Sequence, residues 1–225
     1  MGQCRYCDRK GIFLSTDSNG LCKNCRPVVT MDVQQRSRIM EDSMQLAREG
    51  KTFKTRLSRC ELLLEHANAL EKYESKGIPT INPSPSQIVR EYSAYRDDLI
   101  IEEANKAAEK AIGKAEVATT HRGRESALAS GLLKVREINS SLNDVSNGKG
   151  LESKLQELIH KAKLDGFLDA GRKAEFKSQI KKAIDQYQEA LYFILHDDIP
   201  DELQKGEIAE IEGKIKRLTQ QIEGQ

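Results

Sequence analysis

Apolar residues recur at steps of three and four along most of this chain, and each such stretch predicts an amphipathic helix. Val33, Met40, Met44 and Ala47, with Ile39 and Leu46 beside them, place a helix over about 32–48 with Gly50 as its stop. Leu57, Cys60, Leu64, Ala67 and Leu70, widened by Leu63, predict a second from about Thr55 to Ser75, ended by Gly77. Residues 78–85 carry Pro79, Pro83 and Pro85 and read as an extended linker, the best candidate for a boundary. Ser84 or Ser86 caps the next helix. Its apolar edge is Ile88, Tyr92, Tyr95 and Leu99, and it continues into an alanine-rich part, Ala104 to Ala118. Thr119–Gly123 reads as a break, or as a weak point in one continuous helix.

Leu128, Leu132, Val135, Ile138, Leu142 and Val145 give a further helix, closed by a turn at Asn147–Gly150. Leu151, Leu155, Leu158 and Ala162 predict a short helix closed by Asp165-Gly166. Another begins near Asp169 and carries Phe176, Ile180, Ile184, Tyr187, Leu191 and Ile194. His196-Asp197-Asp198-Ile199-Pro200 reads as a helix end, a capping aspartate and a proline suited to a first turn. The last segment repeats Ile208, Ile211, Ile215, Leu218 and Ile222, the rhythm of a coiled-coil seam.

The first thirty residues break this periodicity. Cys4-Arg5-Tyr6-Cys7 and Cys22-Lys23-Asn24-Cys25 are two C-x-x-C pairs with fourteen residues between them. A two-residue gap lets one short turn aim two thiolates at a single ion, and two such turns complete a tetrahedron. Four thiolates close the coordination shell, so a Zn2+ held by Cys4, Cys7, Cys22 and Cys25 is structural. A domain this small buries too little surface to fold unaided, whereas zinc binding supplies about 10–16 kcal/mol. Ile12-Phe13-Leu14 reads as a short strand, and Thr16–Gly20 as a turn cluster returning through Leu21. The stretch resembles the treble-clef and zinc-ribbon families, with a knuckle, a loose hairpin and a second knuckle. The resemblance implies the four ligands and nothing about partners. In a treble clef the helix opens at Cys25, with Pro27 in its first turn; in a ribbon a separate helix begins near Asp32.

The expected architecture is therefore mainly α: a zinc-binding domain with a short β-hairpin (1–30), a helical hairpin (31–77), a linker (78–86), and a partly coiled-coil helical body (87–225). Composition narrows the function. With 38% hydrophobic and 32% charged residues, the helices pack through narrow stripes. The net charge of +1 gives no global drive toward nucleic acid or anionic lipid, so such binding needs a local patch. No apolar run approaches the roughly 20 residues of a membrane span. The first residues lack the apolar core of a signal peptide, and four clustered cysteines do not look like a disulfide framework. A cytoplasmic protein without a membrane partner is expected.

Arg5, Arg9, Lys10, Lys23 and Arg26 face only Asp8 and Asp17 within the zinc domain. They read either as phosphate contacts, with Tyr6 or Phe13 stacking on a base, or as charges offsetting the thiolates around a Phe13 mini-core. Cys60 sits at a buried helical position, and His121, His160 and His196 are scattered singly. No phosphate-cradling loop, nucleophile elbow or paired-carboxylate motif is present, and no small-molecule substrate is evident. The reading is a non-enzymatic zinc adaptor whose helices bind a protein partner or a second copy; nucleic-acid binding through the basic zinc domain is the alternative.

Overall fold

A computed structural model describes residues 2–197 and 199–223. Among them the chain is mainly α: a two-stranded antiparallel sheet, β1 (Gly2–Gln3) and β2 (Lys10–Gly11), is followed by seven helices. These are α1 (Cys25–Glu49), α2 (Phe53–Glu74), α3 (Pro85–Glu116), α4 (His121–Asn139), α5 (Lys149–Phe176), α6 (Ile180–Leu195) and α7 (Asp201–Glu223). A single 3-10 turn, Val145–Gly148, precedes α5. The chain forms two compact units, one running through Glu103 and the other from Ala104, so the division lies within α3.

In the first unit α1 and α2 form a hairpin across the short connection 50–52. Thr52 caps α2, its side chain accepting from the Thr55 N–H. The core joins Met40 and Ala47 of α1, Cys60, Leu63, Ala67 and Leu70 of α2, and Ile88 and Tyr92 of α3. Cys60 donates its thiol to the Tyr92 carbonyl, and burial pushes that thiol up to about 11, so it behaves as a small hydrophobe. Arg56 clamps the same three helices, with Nη2 on the Tyr95 hydroxyl at 2.9 Å and Nε on the Ala47 carbonyl at 3.2 Å.

The α2–α3 connection is held at both ends. Gly77 takes φ +70°, donating to the Glu74 carbonyl while Ile78 donates to that of Tyr73, a Schellman end for α2. Of the two serines expected to cap α3, Ser84 does so. Its N–H donates to Gln87 Oε1 and its hydroxyl accepts from the Gln87 N–H, a capping box with Pro85 as the first helical residue. Glu74 then reaches from α2 to the Ser86 N–H and hydroxyl. Within stretch 78–86, Ile78 is buried beside Cys4, Leu21, Cys22 and Val29.

The second unit begins with the alanines of α3, of which Ala104, Ala108, Ala111 and Ala115 are buried. The expected break follows: Thr120 caps α4 by accepting from Gly123 N–H at 3.0 Å. Buried Asn139 closes α4 onto the next turn, donating to the Gly148 carbonyl and to Glu152. Helix α5 departs from expectation. It runs unbroken through Asp165-Gly166 and ends instead at Phe176, where a second helix was expected to continue. Ser178 adopts φ +56°, and the N–H groups of Ser178 and Gln179 donate to the carbonyls of Glu175 and Ala174. That is the same Schellman end as at Gly77, built on a residue that gives no sequence signal for it.

One α5 glycine, Gly171, serves packing. A Cβ on Gly171 would lie 2.6 Å from the Tyr187 ring, which is fully buried on α6. Arg172 and then His121 hold the Asp169 carboxyl at about 2 and tie the start of α4 to α5. The repeating apolar face of α7 is taken up inside the chain: Ile211 and Leu218 are buried in one core with Tyr187, Ala190 and Ile194. At the α6–α7 turn Asp197 accepts from the Ile199 N–H, Gln204 Nε2 and His160 Nε2. Of the two aspartates in the stretch expected to hold a capping aspartate, Asp197 is thus the one seen at the turn, and Asp198 lies outside the described residues. Among the described residues no helix is long and apolar enough to cross a membrane.

Because the Tyr187 ring has nowhere to move, Gly171→Ala is expected to lose about 1–2 kcal/mol in urea unfolding, net of the helix-propensity gain. Gly213→Ala, with open space around the new methyl, is expected to gain about 0.5–1 kcal/mol. A gain at both positions would contradict the close α5–α6 packing.

Candidate metal centre

The centre is assembled by two knuckles. In the first, the Cys4 N–H donates to the Arg9 carbonyl and the Asp8 N–H to the Cys4 carbonyl, with Asp8 at φ +59° closing the turn. The strands on either side, Gly2 opposite Gly11 and Gln3 opposite Lys10, clamp its base. The chain then returns through an Asx turn. Asp17 Oδ1 accepts from the N–H groups of Asn19 and Leu21, and Thr16 bridges to Cys22.

The second knuckle is continuous with a helix. Cys22 donates its N–H to Cys4 Sγ at 3.3 Å, and its carbonyl accepts from both Cys25 and Arg26. Helix α1 thus opens at Cys25, with Pro27 in its first turn, and not near Asp32. The run Val28-Val29-Thr30 does not prevent this, because its propensity cost is a few tenths of a kcal/mol and Val29 is buried against Cys4, Leu21, Cys22 and Ile78.

The four Sγ atoms all lie within 4.8 Å of one another. A tetrahedral ion with bonds of about 2.3 Å requires sulfurs about 3.8 Å apart, so the donor set fits a metal ion. Cys4 and Cys22 are buried, Cys25 is half-buried and Cys7 is exposed. Burial opposes ionisation of Cys4, but the N–H groups of Cys7, Cys22 and Tyr6 outweigh it and hold the thiol at about 6. Cys22 is lowered, chiefly by the Cys25 N–H. Burial and bonding to the sulfurs of Cys22, Cys7 and Cys4 push the Cys25 thiol up to about 12. Thiolates crowded this closely repel one another, and a cation at their centre removes that cost.

The knuckles are anchored to the α1–α2 hairpin by contacts the sequence does not advertise. Arg5 Nη1 donates to the Gly77 carbonyl and Lys76 Nζ to the Tyr6 carbonyl. The Tyr6 and Tyr73 rings lie 5.9 Å apart, and Tyr73 donates to Asp32 Oδ2 at 2.7 Å. The five cations singled out in the sequence therefore separate. Arg5 is a tether and Arg26 pairs with Asp17 at 3.6 Å. Arg9, Lys10 and Lys23 are exposed and form no ion pair among the described residues. Two expectations fail. Ile12–Leu14 is a turn, with the Leu14 N–H donating to the Gly11 carbonyl, and no strand. Phe13 is fully exposed, so the mini-core is Leu21, Val29 and Ile78 instead.

Changing Cys4 or Cys22 to Ser is expected to abolish stoichiometric metal uptake, measured by elemental analysis. It should also lower the melting temperature by releasing Ile78 and Tyr73 from the knuckles. Because a thiol held up to about 12 must lose its proton to become a ligand, uptake at pH 7 is expected to release at least one proton per ion, read in weakly buffered indicator solution, and to weaken as pH falls. No protein-family model, curated protein or solved structure matches this chain.

Proposed function

We propose that Cys4, Cys7, Cys22 and Cys25 hold one structural Zn2+ in a treble-clef-type domain, and that the chain is a non-enzymatic, cytoplasmic adaptor acting through protein contacts of its helices. Clustered thiolates favour a borderline-soft ion, and a closed shell leaves no position for water or substrate. The observation that carries the adaptor reading is the outer face of α1. Val28 and Met31 are 55% and 70% exposed there. Met31 also lines a shallow groove of about 360 Å³ with Gln34, Gln35, Arg38 and Ile39. Apolar side chains left open on a helix that a metal ion helps to hold are a natural contact surface. The α7 face, already covered within the chain, is not needed for it.

The second reading, nucleic-acid binding, is favoured by Arg9, Lys10 and Lys23, three exposed cations without a carboxylate partner among the described residues. It requires no contribution from Arg5, whose guanidinium holds Gly77.

The adaptor reading is tested by cross-linking the zinc-loaded chain in its host extract beside Val28→Glu/Met31→Glu. Adducts formed by the native chain and lost from the double variant are expected; identical adducts from both would remove the α1 surface from the reading. The alternative predicts an oligonucleotide mobility shift that weakens steeply with salt and disappears in Arg9→Glu/Lys10→Glu/Lys23→Glu with zinc retained.

A further inference from the structure

The turn Gly11-Ile12-Phe13-Leu14 is built in an unusual way. Its ends are fixed: Gly11 pairs with Gly2 across the sheet, and Leu14 packs on the mini-core. Gly2 lies so close that a Cβ there would stand 2.1 Å from the Leu14 carbonyl oxygen. The two corner positions, where Pro, Asn, Asp or Gly ordinarily sit, carry Ile12 and Phe13 at 75% and 99% exposure. The scaffold therefore projects two large apolar side chains into solvent instead of folding them inward.

The charge around this tip has one sign. Arg9 and Lys10 immediately precede it, exposed and unpaired among the described residues. The nearby acids are engaged elsewhere, Asp8 with Lys76 and Asp17 with its own turn and Arg26. No acidic residue lies between Arg9 and Thr16. The near-neutral charge of the whole chain thus conceals a local patch of the kind that binding to an anion needs.

We propose that this tip is a docking point for an anionic lipid bilayer: Ile12 and Phe13 enter the headgroup–acyl boundary while Arg9 and Lys10 pair with lipid phosphates and carboxylates. A convex tip of two residues has no concave surface with which to grip a folded protein, whereas a bilayer closes around it. Phe13 alone could stack on a base, but Ile12 beside it gains from hydrocarbon and not from stacking. Two apolar side chains and two cations give reversible association, not permanent anchorage. The proposal rests on the zinc reading only for the rigidity of the turn.

The full-length, zinc-loaded chain is sedimented with vesicles of phosphatidylcholine alone and of equal parts phosphatidylcholine and phosphatidylserine. Metal content is measured on the same sample, so loss of the zinc reading is seen separately. Binding to the mixed vesicles and little to the neutral ones is expected. Ile12→Ala/Phe13→Ala should lower the partition coefficient by about tenfold or more, and Arg9→Gln and Lys10→Gln by about fivefold each. All four side chains are exposed, and unchanged helical circular dichroism verifies that the variants fold. A chain that stays in the supernatant, or an Ile12→Ala/Phe13→Ala variant that binds as well as the native chain, overturns the proposal. So does a Phe13-dependent shift of single-stranded oligonucleotide with no vesicle binding, which would assign the tip to bases.

Discussion

Four sulfur atoms lie within 4.8 Å of one another, a crowding that a cation would relieve once they ionise, and the first unit's N-terminal third is built around them. Cys4 and Cys22 are both candidate ligands and core residues, packed with Leu21, Val29 and Ile78. Three apolar side chains do not make a stable core by themselves. With an ion bound as proposed, metal and core would act in succession: sulfur coordination would fix the knuckles, which then present a surface small enough for three aliphatic side chains to cover.

From there, order passes to the helices through a few long-range contacts. Arg5 of the first knuckle and Lys76 at the end of α2 each donate a hydrogen bond to the other's segment, and Tyr73 reaches Asp32 beside the first turns of α1. Beyond them the hairpin relies on apolar stripes closed by polar clamps, of which Arg56 is the clearest. The second unit uses a different device, small residues at helix crossings, with Gly171 set against the Tyr187 ring. Alanine and glycine there bury little area each but let backbones approach, which gains dispersion contacts.

The sequence disclosed what depends on local chemistry. The doubled C-x-x-C marked the four cysteines that the fold gathers into one cluster, the three-four rhythm gave the helices, and Gly77, Thr120 and Ser84 gave true ends. It misled where a residue type has two uses. Gly166 has the look of a helix stop yet lies inside α5, where one glycine costs only about 1 kcal/mol. Ser178 carries a left-handed turn usually given to glycine, so the true end of α5 was invisible. Phe13 looked like core because phenylalanine usually is; its exposure follows from the turn geometry, which only the fold defines. The α7 rhythm was read as a coiled-coil seam; its apolar face instead packs within the second unit's own core, because periodicity does not say what covers an apolar stripe.

Cys25 is at once one of the four clustered cysteines and the first residue of α1, and this sets which lengths of chain can vary. An inserted residue between Cys25 and Val29 would turn the rest of α1 by about 100° relative to the sulfur cluster, carrying Val29 out of the mini-core and Asp32 away from Tyr73. Exposed Ser15, by contrast, lies between Leu14 on the mini-core and the Thr16 bridge to Cys22, and is where the chain between the pairs can lengthen with least disturbance to either knuckle. Related chains should therefore hold the spacing of the second cysteine pair to the helix strictly constant, while the number of residues between the two pairs drifts.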